Sequence, residues 1–317
     1  MPSAQATGRF PAELPVIRQM GRTASGRAWL DRLPGIVREV EERWELRLGA
    51  PFHGGSCSWV APARRSGGAA AVLKVTWPHR EADGEAPALH AWDGHGAVRL
   101  LRRCRERGAL LIERCRPGTP LGEAPLPPAE RLTLAAGLLR DLWAAPPPPD
   151  GELERMDGVC AEWADLLQER MARLRPGYDP GLVAYGADLL RTLPATAARE
   201  VVVHGDANPG NVLAAERRPW LAIDPKPMLG DPAYDPWPLA TQLDDPFAHP
   251  DPRRVLRERY ALLAGELDED PARLLAWSAA RAVESALWSA DHDDIPGGAE
   301  ELTQARVLAE LADLAGG

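Results

Sequence analysis

Residues 201–213 read VVVHGDANPGNVL. Three β-branched residues suited to a buried strand run directly into His204, Gly205 and Asp206. Asn211 stands five positions after Asp206, and apolar residues resume at once. A strand therefore ends in a charged loop, and another strand begins immediately. Singly, each polar residue has an ordinary explanation. An Asp before a turn caps it, and an Asn beside Gly turns the chain. A His closing a strand packs as a hydrogen-bonded structural imidazole. The next apolar run, 220–223, ends at Asp224, thirteen residues after Asn211. A short hairpin with that spacing returns Asp224 to the loop that carries Asp206.

Outward from this motif, the chain divides by pattern. Residues 27–46 carry Leu30, Leu33, Ile36, Val37, Val40 and Trp44 at helical spacing. Short apolar stretches broken by Gly-Gly at 54–55 and 67–68 follow, predicting a hairpin and a strand at 70–76. A helix over 81–92 and strands over 97–104 and 109–115 complete a small antiparallel sheet. Helical periodicity then covers 128–143, 152–174, 181–193, 252–265, 271–290 and 298–315. Only 201–203, 211–214 and 220–223 interrupt it with strand character. The expected class is α+β: an N-terminal lobe over 1–115 and a larger, mainly α C-terminal lobe over 116–317.

Composition narrows the classes. No run reaches the roughly 18 apolar residues that suggest a membrane span, and the N-terminus lacks the basic head and apolar core of a secretion signal. Cys57, Cys104, Cys115 and Cys160 form no C-x-x-C pair and read as free thiols, so a cytoplasmic location is expected. Residues 200–317 hold 22 acids and 10 Lys or Arg, whereas residues 1–199 hold 24 and 27. That acidic half argues against a nucleic-acid partner and favours a cationic one. Of 37 basic residues only Lys74 and Lys226 are lysine. Where Lys survives in so Arg-rich a chain, a compact ammonium is needed in place of a planar fork.

The His-x-Asp-x₄-Asn spacing is that of the protein-kinase catalytic loop. Phosphoryl transfer needs a carboxylate, here Asp206, to accept the proton of an attacking hydroxyl. It also needs oxygen ligands, here Asn211 and Asp224, to hold Mg²⁺ on the nucleotide phosphates. Lys74, in AAVLKVTW, resembles the kinase lysine strand, which contacts the α- and β-phosphates. Glu85 is its expected partner on the following helix, with Glu81 in reserve on the same face. The turn HGGSCSWV offers Gly55, Ser56 and Ser58 as a phosphate cradle. In LLIERCRPG, at the junction of the lobes, the backbone of Glu113 and Cys115 is placed to pair with adenine.

These residues together resemble the aminoglycoside phosphotransferases of the protein-kinase-like superfamily, in the streptomycin 6-kinase and hydroxyurea phosphotransferase branch. The resemblance runs in order through WLDRLPGIVREVEERWEL, GGSCSWVAPA, VLKVTWPHREADGEA, LLIERCRPGTPL, VVVHGDANPGNVL and WLAIDPKPMLGDPAYDPWPL. It implies a bilobal fold, ATP and Mg²⁺ as cofactors, and Asp206 as catalytic base. It also implies that Asp231 and Asp235 fix the loop without touching substrate. The chain departs from the pattern at Ala207-Asn208 and after Lys226, near the acceptor pocket.

The expected activity is phosphorylation of a hydroxyl on a small molecule, an aminoglycoside or hydroxyurea, giving antibiotic resistance. A metabolic sugar or amino-alcohol kinase and a silent nucleotide-binding module are the alternatives. A cationic acceptor is expected between Glu284, Trp288 and Asp291, which lie at i, i+4 and i+7.

Overall fold

The computed structural model describes residues 8–316. Helices α1 (Pro15–Met20) and α2 (Ala24–Arg43) come first. Thr23 caps α2 by accepting from Gly26 N–H at 3.0 Å. Strands β1 (Arg47–Leu48), β2 (Ser58–Arg64) and β3 (Ala70–Thr76) follow, then helix α3 (Arg80–Trp92) and strands β4 (Leu100–Cys104) and β5 (Ala109–Glu113). They form one antiparallel sheet in the order β1-β2-β3-β5-β4. Alternation along β3 sorts the sheet's two faces. Ala71, Leu73 and Val75 join the core made with Trp29, Leu33, Val37 and Val40 of α2. Burying each of those four side chains contributes roughly 1.5–3 kcal/mol. Val72, Lys74 and Thr76 have the opposite parity, and Val72 packs with α3 and the C-terminal half. Pairing of Val60 with Lys74 and of Lys74 with Leu110 sets the lysine in the middle of that second face.

The C-terminal half is built from α4 (Pro128–Trp143), α5 (Met156–Leu174), α6 (Pro180–Thr192), α7 (Trp237–Gln242), α8 (Pro252–Leu267), α9 (Pro271–Asp291) and α10 (Ile295–Gly316). Two small sheets lie among them. One is β6 (Glu154–Arg155), β10 (Met228–Gly230) and β7 (Val201–Val203), with β10 in the middle. The other is the hairpin of β8 (Val212–Ala214) and β9 (Trp220–Ala222), in which Val212 opposes Ala222.

Several expected boundaries shift. The expected strand at 97–104 begins at Leu100, because Ala97 bridges singly to Ala222 of β9 and so crosses toward the second half. The helix expected from 152 starts at Met156, because Glu154 and Arg155 pair with β10. Strands of two or three residues exist only through their partners, and sequence pattern does not mark them.

The loop after β7 crosses the chain segment around Lys226 at close quarters. Gly205 sits at φ +80°, and a Cβ there would lie 1.9 Å from the Lys226 carbonyl oxygen. Lys226 N–H donates to the His204 carbonyl at 2.8 Å, so neither backbone can retreat. Gly205→Ala combines an unfavourable φ with a backbone clash. We expect it to lower the melting temperature by roughly 10 °C or more, since about 1 kcal/mol corresponds to 2–4 °C in a chain of this class. A thermal melt by circular dichroism checks this, and a transition within about 2 °C of wild type contradicts it.

Candidate active site

The site lies where the second face of the large sheet meets the β7–β10 region. Lys74 Nζ is 2.7 Å from both Glu85 carboxylate oxygens and 2.5 Å from Asp224 Oδ1. Lys74 and Glu85 are buried. Burial alone would push the Lys74 ammonium down, but the Glu85 and Asp224 carboxylates hold it above its ordinary value. Burial pushes Glu85 up while Lys74 pulls it back. The direction that governs the pair is that of Lys74, because three carboxylate contacts keep it charged. Burial would likewise raise Asp224, yet the neighbouring Lys74 holds it below the usual carboxylate range. Glu85, the expected partner, makes this contact. The reserve, Glu81, lies instead 3.9 Å from His79.

Asp224 has φ +54°, a conformation that non-glycine residues rarely adopt. It ends the β8–β9 hairpin, and Ile223 N–H donates to the Asn211 carbonyl at 2.9 Å. Asn211 and Asp224 are thereby brought together. The Asn211 Nδ2 donates to the Asp206 carbonyl at 2.9 Å, which directs the amide oxygen away from the loop. The donor set is thus one carboxylate, already sharing one oxygen with Lys74, and one amide oxygen. These are hard ligands, few in number, as suits an ion that keeps waters and phosphate oxygens in its shell. Among the described residues no group of three His, Cys, Asp or Glu forms a ready-made metal cage.

Asp206 is held at both carboxylate oxygens. Asn208 Nδ2 donates to Oδ1 at 3.0 Å, and Lys226 Nζ lies 3.1 Å from Oδ2. The loop is fixed from beneath. Asp235, with no exposed surface, accepts from His204 N–H at 2.9 Å, Gly205 N–H at 2.8 Å and Trp143 Nε1 at 2.9 Å. Asp231, also buried, accepts from Ala233 N–H at 3.0 Å and Trp277 Nε1 at 2.6 Å. Asp235 thus holds the loop, whereas Asp231 caps its own turn and also receives Arg273 Nε at 2.7 Å. His204 is buried, which lowers its pKa. Its Nδ1 accepts from Asp206 N–H at 3.2 Å, so Nε2 carries the proton and donates to the Ile223 carbonyl at 3.0 Å. It is a neutral structural imidazole.

Other expectations are corrected. The Ser58 hydroxyl is buried and donates to Thr76 Oγ1 at 3.0 Å, so it belongs to the sheet and does not line a phosphate cradle. Gly55 and Ser56 remain exposed in the turn before β2. The Glu113 N–H is bonded to the Arg99 carbonyl at 2.9 Å, which leaves only its carbonyl for a base. Its side chain forms an ion pair with Arg217 at 2.8 Å. Burial pushes the Cys115 thiol up to about 12.

Glu284 and Asp291 are not free carboxylates flanking an indole. Arg170 from α5 lies 3.5 Å from Glu284 and 3.2 Å from Asp291, and Arg173 lies 2.6 Å from Asp291. Trp288 is 48% exposed and stacks on His292 with ring centroids 3.9 Å apart. Three contributors escaped the sequence reading. Lys226 carried a signal, as one of only two lysines. Asn208 was visible only as a departure from pattern. Arg281 carried none; it lies over Tyr234 and Trp237 at 4.1 and 4.6 Å and donates to the Gly205 carbonyl at 3.2 Å. A cavity of about 660 Å³ between α2, α3 and the β4–β5 connection shares only Glu85 with this cluster. The chemistry therefore does not reside there.

Residues 43–293 match the family model described as "Aminoglycoside/hydroxyurea antibiotic resistance kinase". The chain is 36% identical to a streptomycin 6-kinase of Streptomyces glaucescens over 283 residues, 89% of each chain. It is 36% identical to a hydroxyurea phosphotransferase of Kitasatospora aureofaciens over 304 residues, 96% of this chain and 86% of that one. A solved choline/ethanolamine kinase family protein from Mesorhizobium loti superposes with a TM-score of 0.61 at 14% identity, over 88% of this chain and 98% of its own. That likeness places the fold in the bilobal protein-kinase-like class. With a family match over most of its length and relatives above a third identical, the chain belongs to the aminoglycoside/hydroxyurea antibiotic resistance kinases.

Proposed function

We propose that this chain transfers the γ-phosphoryl group of ATP, with Mg²⁺, to a hydroxyl of a streptomycin-like aminoglycoside or of hydroxyurea, inactivating it. The observation that carries the reading is the Lys74 ammonium held between Glu85 and Asp224, with Asp206 and Asn211 on the adjoining loop. Lys74 is poised to bind the α- and β-phosphates, and the exposed backbone around Gly55 and Ser56 to cover them. The Glu113 carbonyl and the Cys115 N–H would pair with adenine. Asn211 and Asp224 would hold Mg²⁺, which neutralises phosphate charge when bound. Asp206 orients the acceptor hydroxyl and takes its proton.

A coupled ADP-release assay across streptomycin, other aminoglycosides, hydroxyurea, choline and amino sugars tests the reading. Turnover is expected with a member of the first three groups. Asp206→Asn is expected to lower kcat on that acceptor about 10²–10⁴-fold while ADP affinity stays near wild type. A variant that retains more than about a tenth of wild-type kcat contradicts the base assignment. Turnover with choline or an amino sugar alone favours a metabolic kinase.

The acidic balance of residues 200–317 still favours a cationic acceptor, but Asp291 has a structural partner set. Its carboxyl is held below the usual range, first by the hydrogen bond from Arg173. A depressed carboxylate stabilises the fold above its unfolded pKa, and that contribution is lost as the pH falls through the folded value. Asp291→Asn is therefore expected to lower the melting temperature by several degrees at neutral pH, with a smaller difference from wild type in acid, because it leaves the buried Arg170 with Glu284 alone and takes the charged partner from Arg173. The acceptor KM is expected to move less than about threefold, and a large rise in KM with an unchanged melt would restore Asp291 to the acceptor site.

A further inference from the structure

Both lysines of the chain reach one site, but they are held differently. Lys74 is locked by three carboxylate contacts and is buried. Lys226 is locked only at its backbone, where its N–H donates to the His204 carbonyl at 2.8 Å and its own carbonyl lies against Gly205. Its side chain is 46% exposed, and its one ion-pair contact is the Asp206 oxygen at 3.1 Å. Its ammonium end meets solvent and has this single contact among the described residues, so the pair is weaker than that of Lys74 and can separate.

The placement has a consequence for Asp206. Its Oδ1 is taken by Asn208 and its Oδ2 by Lys226, so an acceptor hydroxyl approaches the oxygen that Lys226 holds. As that hydroxyl arrives, the ammonium needs another anionic partner within reach of its tether. The phosphoryl group in transfer, bound between the base and the metal ligands, would supply one. Arg281 does not compete, because its guanidinium lies over Tyr234 and Trp237. A planar fork at position 226 would be poorly matched to both tasks, whereas a compact, rotatable ammonium serves each in turn.

We propose that Lys226 is a catalytic residue, whose ammonium covers Asp206 until the acceptor binds and then engages the oxygens of the phosphoryl group in transfer. This rests on the phosphotransferase reading above. The bond from the acceptor oxygen to the γ-phosphorus forms. The bond from that phosphorus to the bridging oxygen breaks, and its electron pair leaves with ADP. The hydroxyl proton passes to Asp206 Oδ2, and Lys226 keeps its own proton throughout. Protonation of Asp206 removes the charge that had held Lys226, so the ammonium stays with the phosphoryl group as charge redistributes.

Calorimetry with MgADP, alone and with aluminium fluoride as a mimic of the planar phosphoryl group, tests this in Lys226→Met and in Lys226→Gln, which keeps a polar end. Melting near wild type is expected for both, with MgADP affinity within about threefold. The extra tightening conferred by fluoride should fall about 10²–10³-fold, and kcat on the acceptor by a similar factor with little change in the KM for ATP. A residue that only shapes the loop would not separate ADP from its fluoride complex in this way. Fluoride tightening within about threefold of wild type in either folded variant overturns the proposal. Asp206→Asn serves as control. If it is inactive while the Lys226 variants bind the fluoride complex normally, only the Lys226 role fails; if it remains active, the reading of the loop itself fails.

Discussion

A buried ammonium is tolerable only when carboxylates surround it, and here two carboxylates from distant parts of the chain converge on Lys74. Removing either would leave the buried ammonium with a single carboxylate and its charge less well offset. That requirement ties β3 to α3 through Glu85, and ties both to the β8–β9 hairpin through Asp224, 150 residues further on. Relative placement of the sheet and the catalytic loop is therefore an electrostatic matter as much as one of packing. The left-handed backbone at Asp224 fits the same demand, because it turns the carboxylate toward Lys74 at the end of a strand.

Beneath the loop, the same logic is carried out with backbone groups. Asp235 accepts two consecutive N–H groups, from His204 and Gly205, and an indole N–H, all without solvent. Any shift of the strand end would leave this buried carboxylate without its donors, so the arrangement resists such a shift. The neutral imidazole of His204 completes the frame by joining Asp206 N–H to the Ile223 carbonyl. Asp206 is thus presented by a rigid support, with the fixed amide of Asn208 at one carboxylate oxygen and the exposed, movable Lys226 side chain at the other. Rigidity below and mobility above is the arrangement that a proton acceptor needs when its partner must enter and leave.

Much of this was legible because the chemistry fixes spacing. Asp206, Asn211 and Asp224 occupy one loop and the hairpin after it, so their proximity follows from local chain geometry. Glu85 could be chosen over Glu81 only weakly, since one helical face carries both; the structure separates them by depth, with Glu85 buried and Glu81 outside. What escaped depends on partners remote in sequence. Arg170 reaches Asp291 across 121 positions and turns a supposed acceptor site into a structural clamp. Ser58 looked like part of a glycine-rich turn, yet strand pairing opposite Thr76 takes its hydroxyl into the sheet. Strand β10 is three residues long and owes its existence to β6 and β7 on either side.

Asn208 shows how a departure from pattern can be informative. Read as sequence, it bore on the acceptor pocket and left the chemistry untouched. In the structure its Oδ1 accepts from Gly210 N–H at 2.9 Å and Asn211 N–H at 3.1 Å, while its Nδ2 donates to Asp206. One amide side chain therefore shapes the turn that carries Asn211 and orients the carboxylate of Asp206. Only a carboxamide provides an acceptor and a donor at such a fork; an Asp there would turn two acceptors against each other. The turn signal and the chemical signal at this position are the same residue, so neither was separable from sequence alone.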